Sequence, residues 1–544
     1  MPTSWLDRAA LRLSPSWGLN RIRARARAEA IMGFEAARMP LRDRFRDRDG
    51  GPNDEVGNAL AVLRRRSRAL VRDNPYAKKI LLTLAGHQVG YGIRPRATTD
   101  DKPTNKRFNA AFTEWAKKGV IGGQLDYFGG QHQAAWARGE SGEALVRAVR
   151  LSSREMRDRG MKVPLQIEIV EADLLADGLS ASGNPLGPRV VHGVSFDRRG
   201  NRDGYWFRGS HPGEGTMLRY GDDARFWPAA DVVHLQRAYA DRPGTVRGIP
   251  DLTPSITRLY RLDDYEVAAI EQARAAALTG IIWETADGEA DMQTGKPGGG
   301  AGEGQDTGGA DVPVEMYPGM IGSAPAGSKA HYLQPAGAGP FEPFVGHGLR
   351  AIAAGAGCTY DQATGDLRAA NYSSMRGGRA EFRRVVEDDQ YLMIIPQMCD
   401  PVVDWFTQMA MAAGVLEEGD YPVTHMPPRI ELIDPSQDVP ALRSMRRLGL
   451  QTWGQQVMEQ GFDPDEQMEE IRRENADFDE RGIILDGDPR RMSLSGGAND
   501  PKQNAAIEIA ATGAASPRPQ APTSADPAAQ GAPPVVPFRP RRAS

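Results

Sequence analysis

The chain has 544 residues, too many for a single compact core, and its 40% hydrophobic and 25% charged residues are those of a folded, soluble protein. The formal net charge of -4 excludes a protein that coats nucleic acid through an excess of Lys and Arg, while leaving brief contact open. Two cysteines outside any C-x-x-C pair point to a reduced compartment. The absence of a signal-like segment or a run of roughly 18 apolar residues points to a cytosolic product that neither crosses nor enters a membrane.

In chain order, residues 1–58 are set off as a basic and acidic arm, in which the stretch from Met1 to about Gly51 alternates Arg with Ala and acids and has little to bury, so that much of it is expected to order only against a partner. From Ala59 to Gly86 apolar residues recur at helical spacing and break at Asn74-Pro75, which predicts two helices. Helices are expected at Lys106–Lys118 and Gly129–Arg138. Strands are expected at Glu143–Val149, Leu165–Val170, Arg189–Phe196 and Asp203–Arg208, with a Gly/Asn hairpin turn at 198–201. The first half therefore reads as an α+β domain with an antiparallel sheet.

Thr253 is placed to cap a helix with Pro254 at its first position, running to about Leu278. Its alanine-rich second half suits packing among copies of itself, although an ordinary buried core helix has the same composition. Residues 284–340 lose periodicity around a glycine-rich centre and read as a protrusion or linker. A second rod follows from Phe341, then a polar loop over 366–379. A long helix is expected from Ala380 to Ala412, kinked at Pro396 and Pro401. A strand at Arg429–Ile433, two more helices and an Ala/Pro/Gly/Ser tail over 491–544 complete the chain.

Catalytic motifs are missing. No H-E-x-x-H, Walker or G-x-S-x-G pattern occurs, and the glycine run neither follows a strand nor opens a helix. Asp222-Asp223 and Asp388-Asp389 are carboxylate pairs of the kind that hold Mg²⁺ in nucleases, or else a solvated turn and a solvated helix face. His211 reads as a loop residue and His234 as a hydrogen-bonded sheet histidine. Arg368, Asn371, Tyr372, Arg376 and Arg379 share the polar loop and suit sequence-independent contact with phosphates, or else pairing with nearby acids such as Asp361, Asp366 and Glu381.

Several stretches, taken in order from about Phe34 to Asp488, resemble the lambda family of phage portal proteins. They are Leu63–Ala77 (LRRRSRALVRDNPYA), Val89–Pro95 (VGYGIRP), Ala137–Glu140 (ARGE), Gly193–Asp197 (GVSFD), Arg242–Pro250 (RPGTVRGIP) and Asn371–Arg376 (NYSSMR). The resemblance implies a portal fold: an α/β wing over 59–250 and 380–434, helical stem rods over 251–283 and 341–365, an irregular clip over 284–340 and a helical crown over 435–490. It implies a non-enzymatic ring, usually of twelve copies, at one capsid vertex of the virion, assembled in the host cytoplasm. Double-stranded DNA would pass along its axis without sequence preference. The partners implied are terminase, head-completion or connector proteins, and capsid or scaffold protein, with no membrane and no cofactor. The loop 366–379 would be the tunnel loop facing DNA, and Asp263, Asp264, Glu266 and Glu271 on the first rod would line a channel that DNA slides past rather than grips. The alternatives from other classes are a metal-dependent DNA-processing enzyme and a virion adaptor that never meets DNA.

Overall fold

The computed structural model describes residues 50–180, 189–213, 224–277, 281–284, 329–332, 341–368, 371–428 and 434–483. The tail over 491–544, the Asp222-Asp223 pair, the strand expected at Arg429–Ile433 and most of the arm and of 284–340 lie outside these residues. The arm ends earlier than expected, because helix α1 (Pro52–Asp73) already includes residues 52–58. Its neighbour α2 (Pro75–Gln88) begins where the sequence breaks: Asn74 is extended at φ -103°, and its side chain accepts hydrogen bonds from Tyr76 and Ala77. Strand β1 (Arg94–Ala97), α3 (Lys102–Ala116, capped by Asp101) and α4 (Tyr127–Ser141, capped by Asp126) follow.

A three-stranded antiparallel sheet then forms from β2 (Glu143–Arg150), β3 (Leu165–Val170) and β8 (Val232–Gln236), with β2 in the centre. Between them lie the short helix α5 (Ser153–Arg159) and a four-stranded antiparallel sheet, β4 (Arg189–Val191), β5 (Val194–Phe196), β6 (Arg202–Phe207) and β7 (Arg225–Pro228). The strand expected at Arg189–Phe196 is therefore two strands folded at His192-Gly193, whose φ values of 47° and 83° are the left-handed pair that a tight hairpin needs. Histidine is not a usual turn residue. Its ring is held by the carbonyls of Asp177 and Asn53, at 3.2 and 3.0 Å, which fixes the conformation. The turn expected at 198–201 is present, closed by the Asp197 carboxylate accepting from the backbone of Arg199 and Asn201.

Thr253 does not cap the first rod. Residues 251–255 form turns, and helix α6 runs from Ile256 to Ala277, because Leu252 and Ser255 supply the first helical carbonyls, to Ile256 and Leu259. Beyond it β9 (Ile281–Glu284) pairs antiparallel with β10 (Lys329–Tyr332), so strand character brackets a segment expected to be irregular. Helix α7 (Phe341–Ala356) buries Leu349, Ile352, Ala353 and Ala356, and the short α8 (Tyr360–Thr364) follows.

The helix expected from Ala380 starts at Tyr372 instead. Helix α9 (Tyr372–Asp389) continues into a π-helical segment, Gln390–Cys399, and then into α10 (Asp400–Ala412). The expected kink at Pro396 appears as that widened segment: a proline has no N–H for an i→i−4 bond, and longer-range turns absorb the gap. Strand β11 (Val423–Met426) closes on β1, and α11 (Pro435–Arg447) and α12 (Trp453–Glu459) follow. One core joins α3, α4, the three-stranded sheet, the π segment and α10; a second joins α1, α2, the root of α6, and α7 to α9. Residues 465–544 form a separate unit, described only through helix α13 (Pro464–Arg481) and the two residues after it.

Candidate nucleic-acid interface

The residues read as a loop are split by the structure. Arg368 stays on the connection, where its guanidinium meets Asp366 at 2.9 Å and Glu342 at 3.3 Å. Arg376 and Arg379 lie in the first three turns of α9. The expected loop limits of 366–379 contract because Asn371 caps the helix, accepting from the Ser374 N–H at 2.8 Å while the Ser374 hydroxyl takes the Asn371 N–H. Gly377-Gly378 does not break the helix; a Cβ at Gly378 would press against Thr359, so glycine lets α9 pack on the start of α8. The side chain of Tyr372 lies outside the described residues.

Along α9, Arg376, Arg379 and Arg383 recur at i, i+3 and i+7 and so share one face. Arg376 pairs with Asp438 of α11 at 3.1 Å and Arg383 with Glu387 at 2.6 Å, both guanidinium groups remaining nearly half exposed at 47% and 48%. Two of the nearby acids expected as partners, Asp361 and Glu381, form no ion pair with these arginines among the described residues; Asp366 does. The acids of α6 sit apart on their own helix. Asp263 and Asp264 are exposed, flanking exposed Val267 and Ile270, while Glu271 pairs with Arg274 at 2.7 Å. Glu266 is half-buried, and burial together with the neighbouring Asp263 charge raises its carboxyl above the usual range.

Two buried ionic clusters lie elsewhere in the chain, the second of them reaching the last residue of α9. In the first, Glu143 at the start of β2 is fully buried and holds Arg64 of α1, Arg247 (2.7 Å), the backbone N–H of Gly248 (3.0 Å) and His234 of β8 (2.8 Å). Burial alone would raise the Glu143 carboxyl, but Arg247, Arg64 and His234 hold it well below its ordinary range. Burial, then the Arg202 charge, push His234 down to about 4, so it is neutral, with Arg202 3.0 Å from its other ring nitrogen. His234 is thus the hydrogen-bonded sheet histidine expected.

The second cluster is a closed ring. Arg138 of α4 grips Asp251 with 2.6 Å contacts and reaches Gln88 of α2 at 3.1 Å. Gln88 donates to Asp389 at 2.7 Å, Arg237 donates to Asp389 at 2.9 and 2.7 Å, and Arg237 returns to Asp251 at 3.1 Å. Tyr239 adds a 2.8 Å bond to Asp389. Burial pushes the Asp389 carboxyl up, yet Arg138, Arg237 and Tyr239 bring it below its ordinary value. The Asp388-Asp389 pair is therefore neither a metal site nor simply a solvated helix face: Asp388 is exposed, and Asp389 is sealed beneath four donor contacts.

The family described as phage portal protein, lambda family, matches residues 39–390, well over half of the chain. The chain belongs to the lambda family of phage portal proteins. Solved structures with similarity include a chain from the virion of a native gene transfer agent particle, 16% identical, covering 81% of this chain and 99% of that one at a TM-score of 0.41. Two others are chains from the necks of native and empty gene transfer agent particles. They are 14% and 16% identical, each covering 74% of this chain and 94% of the other, at TM-scores of 0.40 and 0.39. No curated protein matches.

Within this portal-family chain, the stretches that carried the resemblance supply much of the buried chemistry: Arg64 in the first, Arg138 in ARGE, Arg247 and Gly248 in RPGTVRGIP. Sequence reasoning assigned none of them a role. A usable signal was present, because Arg138 and Arg247 are each followed by glycine and preceded by Ala or Val, a setting where a solvated arginine gains little. A further cluster of Glu171, Asp173 and His211 could accept a cation by spacing, but Arg68 already pairs with both acids. Among the described residues no helix is long and apolar enough to cross a membrane.

Proposed function

We propose that copies of this chain form a ring at one capsid vertex, and that double-stranded DNA enters and leaves the particle along its axis. The observation that carries the reading is the family match over residues 39–390. In this reading residues 59–250 and 380–434 are the wing, 251–283 and 341–365 the stem, 284–340 the clip and 435–490 the crown. Arg376 and Arg379 face the duplex from the start of α9, with Arg368, Asn371 and Tyr372 on its approach. Asp263, Asp264, Glu266 and Glu271 give the first rod an acidic side. Twelve copies fit the family pattern, and the clip is the surface offered to terminase and later to connector proteins, with capsid or scaffold protein around the wing.

Sparse arginines over an otherwise near-neutral surface meet phosphates without holding them, since each neutralised phosphate adds to binding strength and its salt dependence. The ring is a passive conduit, and ATP hydrolysis belongs to a separate motor. Electron microscopy of the purified protein should show rings with a central hole, with no ATPase and no Mg²⁺-dependent cutting of DNA. Monomers that cleave DNA would reverse the reading. Arg376→Ala with Arg379→Ala should leave rings intact and cut packaged DNA at least several-fold; unchanged packaging would leave a ring that does not use this face.

A further inference from the structure

We infer that Asp389 and Arg237 are positioning residues that fix the arginine helix to the root of the first stem rod. The inference uses the proposed DNA-facing role of α9 for its functional meaning, but its geometry stands without it. Asp389 is the last residue of α9, at the point where the α-helix widens into the π segment. Such widened turns have weaker local constraint and often mark places where a helix must be re-aimed. The carboxylate at this joint is fully buried and receives four donor contacts, from Gln88, Arg237 and Tyr239. The next residue, Gln390, donates to the Gln88 carbonyl at 2.9 Å, so the joint is pinned to the end of α2.

Arg237 is forked between two acids. One edge holds Asp389, and the remaining nitrogen holds Asp251, five residues before α6 begins. A planar guanidinium that satisfies two carboxylates sets their relative placement, which a flexible ammonium does not. A rotation of α9 about its joint therefore breaks contacts at Asp251 as well as at Asp389, and a shift of the α6 root is felt in α9. This makes the ring of Arg138, Asp251, Arg237, Asp389 and Gln88 the link between the proposed DNA-facing face and the stem.

The test is hydrogen–deuterium exchange on the full-length protein without DNA, following peptides over 372–389, over 252–259 and, as reference, over β3. Asp389→Asn should speed exchange at least tenfold in both of the first two segments and leave β3 unchanged. If that variant loses protection everywhere, Arg237→Lys decides, because it keeps the charge and loses the fork. It should accelerate the same two segments about threefold with β3 unchanged. Acceleration confined to 372–389 in Arg237→Lys would overturn the link and leave Asp389 a local anchor. Because no DNA is present, an unchanged packaging yield in the Arg376/Arg379 variant would remove the DNA-facing role while leaving this result standing.

Discussion

Two titrating groups, the half-buried Asp241 and the buried His234, push stability in opposite directions as pH changes. Asp241, beside the Arg138–Asp389 ring, has its carboxyl raised from 3.8 to about 6, chiefly by burial. The folded chain then binds more protons than the unfolded one between these values, so stability falls as pH rises through that window and the cost is complete above about 6. His234 has its value lowered from 6.5 to about 4, so the unfolded chain binds more protons there, and this contribution is lost as pH falls from 6.5 towards 4. Asp241→Asn should therefore raise stability at pH 7.5 by roughly 1–2 kcal/mol, after discounting for partial exposure, and the gain should shrink towards zero near pH 4. Thermal midpoints of the two proteins at both pH values check this; an equal gain at both would show that charge burial is not the cause.

At the scale of elements, one close backbone approach joins two glycines. Gly142, at φ 90° after α4, lies against Gly248, and a Cβ on either would fall on the other's backbone. That contact also brings the Gly248 N–H to Glu143. Gly248→Ala should destabilise the chain by about 3 kcal/mol or more, read as a fall in thermal midpoint or as loss of soluble protein, since backbone rather than a movable side chain must give way. Local chemistry explains what was legible beforehand. Asn74-Pro75 and the Asp197–Asn201 turn carry their instructions within a few residues, and both were readable. The α9 start was misplaced because Gly377-Gly378 signals a loop locally and serves packing against Thr359 in the fold. The hairpin at His192 was hidden because the contacts that hold its ring come from Asp177 and Asn53, 15 and 139 residues away. The ring around Arg237 was invisible for the same reason: its bonds to Asp389 span 152 residues, and no spacing rule reaches that far.

For the whole molecule, a chain with net charge -4 whose Arg368, Arg376 and Arg383 are held in ion pairs should bind DNA weakly in bulk. In the conduit reading, assembled rings should bind a short duplex with Kd no tighter than about 1 µM at physiological salt, with affinity falling steeply as salt rises. Arg376→Ala with Arg379→Ala should flatten that salt slope. Fluorescence anisotropy across a salt series checks both points, and nanomolar binding at physiological salt would contradict passive conduction.

The ring that ties Gln88, Arg138, Arg237 and Asp251 to Asp389 also imposes an order on synthesis. A ribosome that has released residues up to 388 has delivered two arginines and one aspartate of this set, so Arg237 still lacks the carboxylate that receives two of its donor contacts. Met393, Met398 and Phe406, which complete the sheet-side core, arrive later still. Residues 59–250 should therefore close only after residues 389–406 have been made, so that the chain stays open until most of its length has been translated. A nascent chain paused before residue 389 should thus be protease-sensitive over residues 59–250, which in the ring reading would keep half-made subunits from competing for places in the assembly.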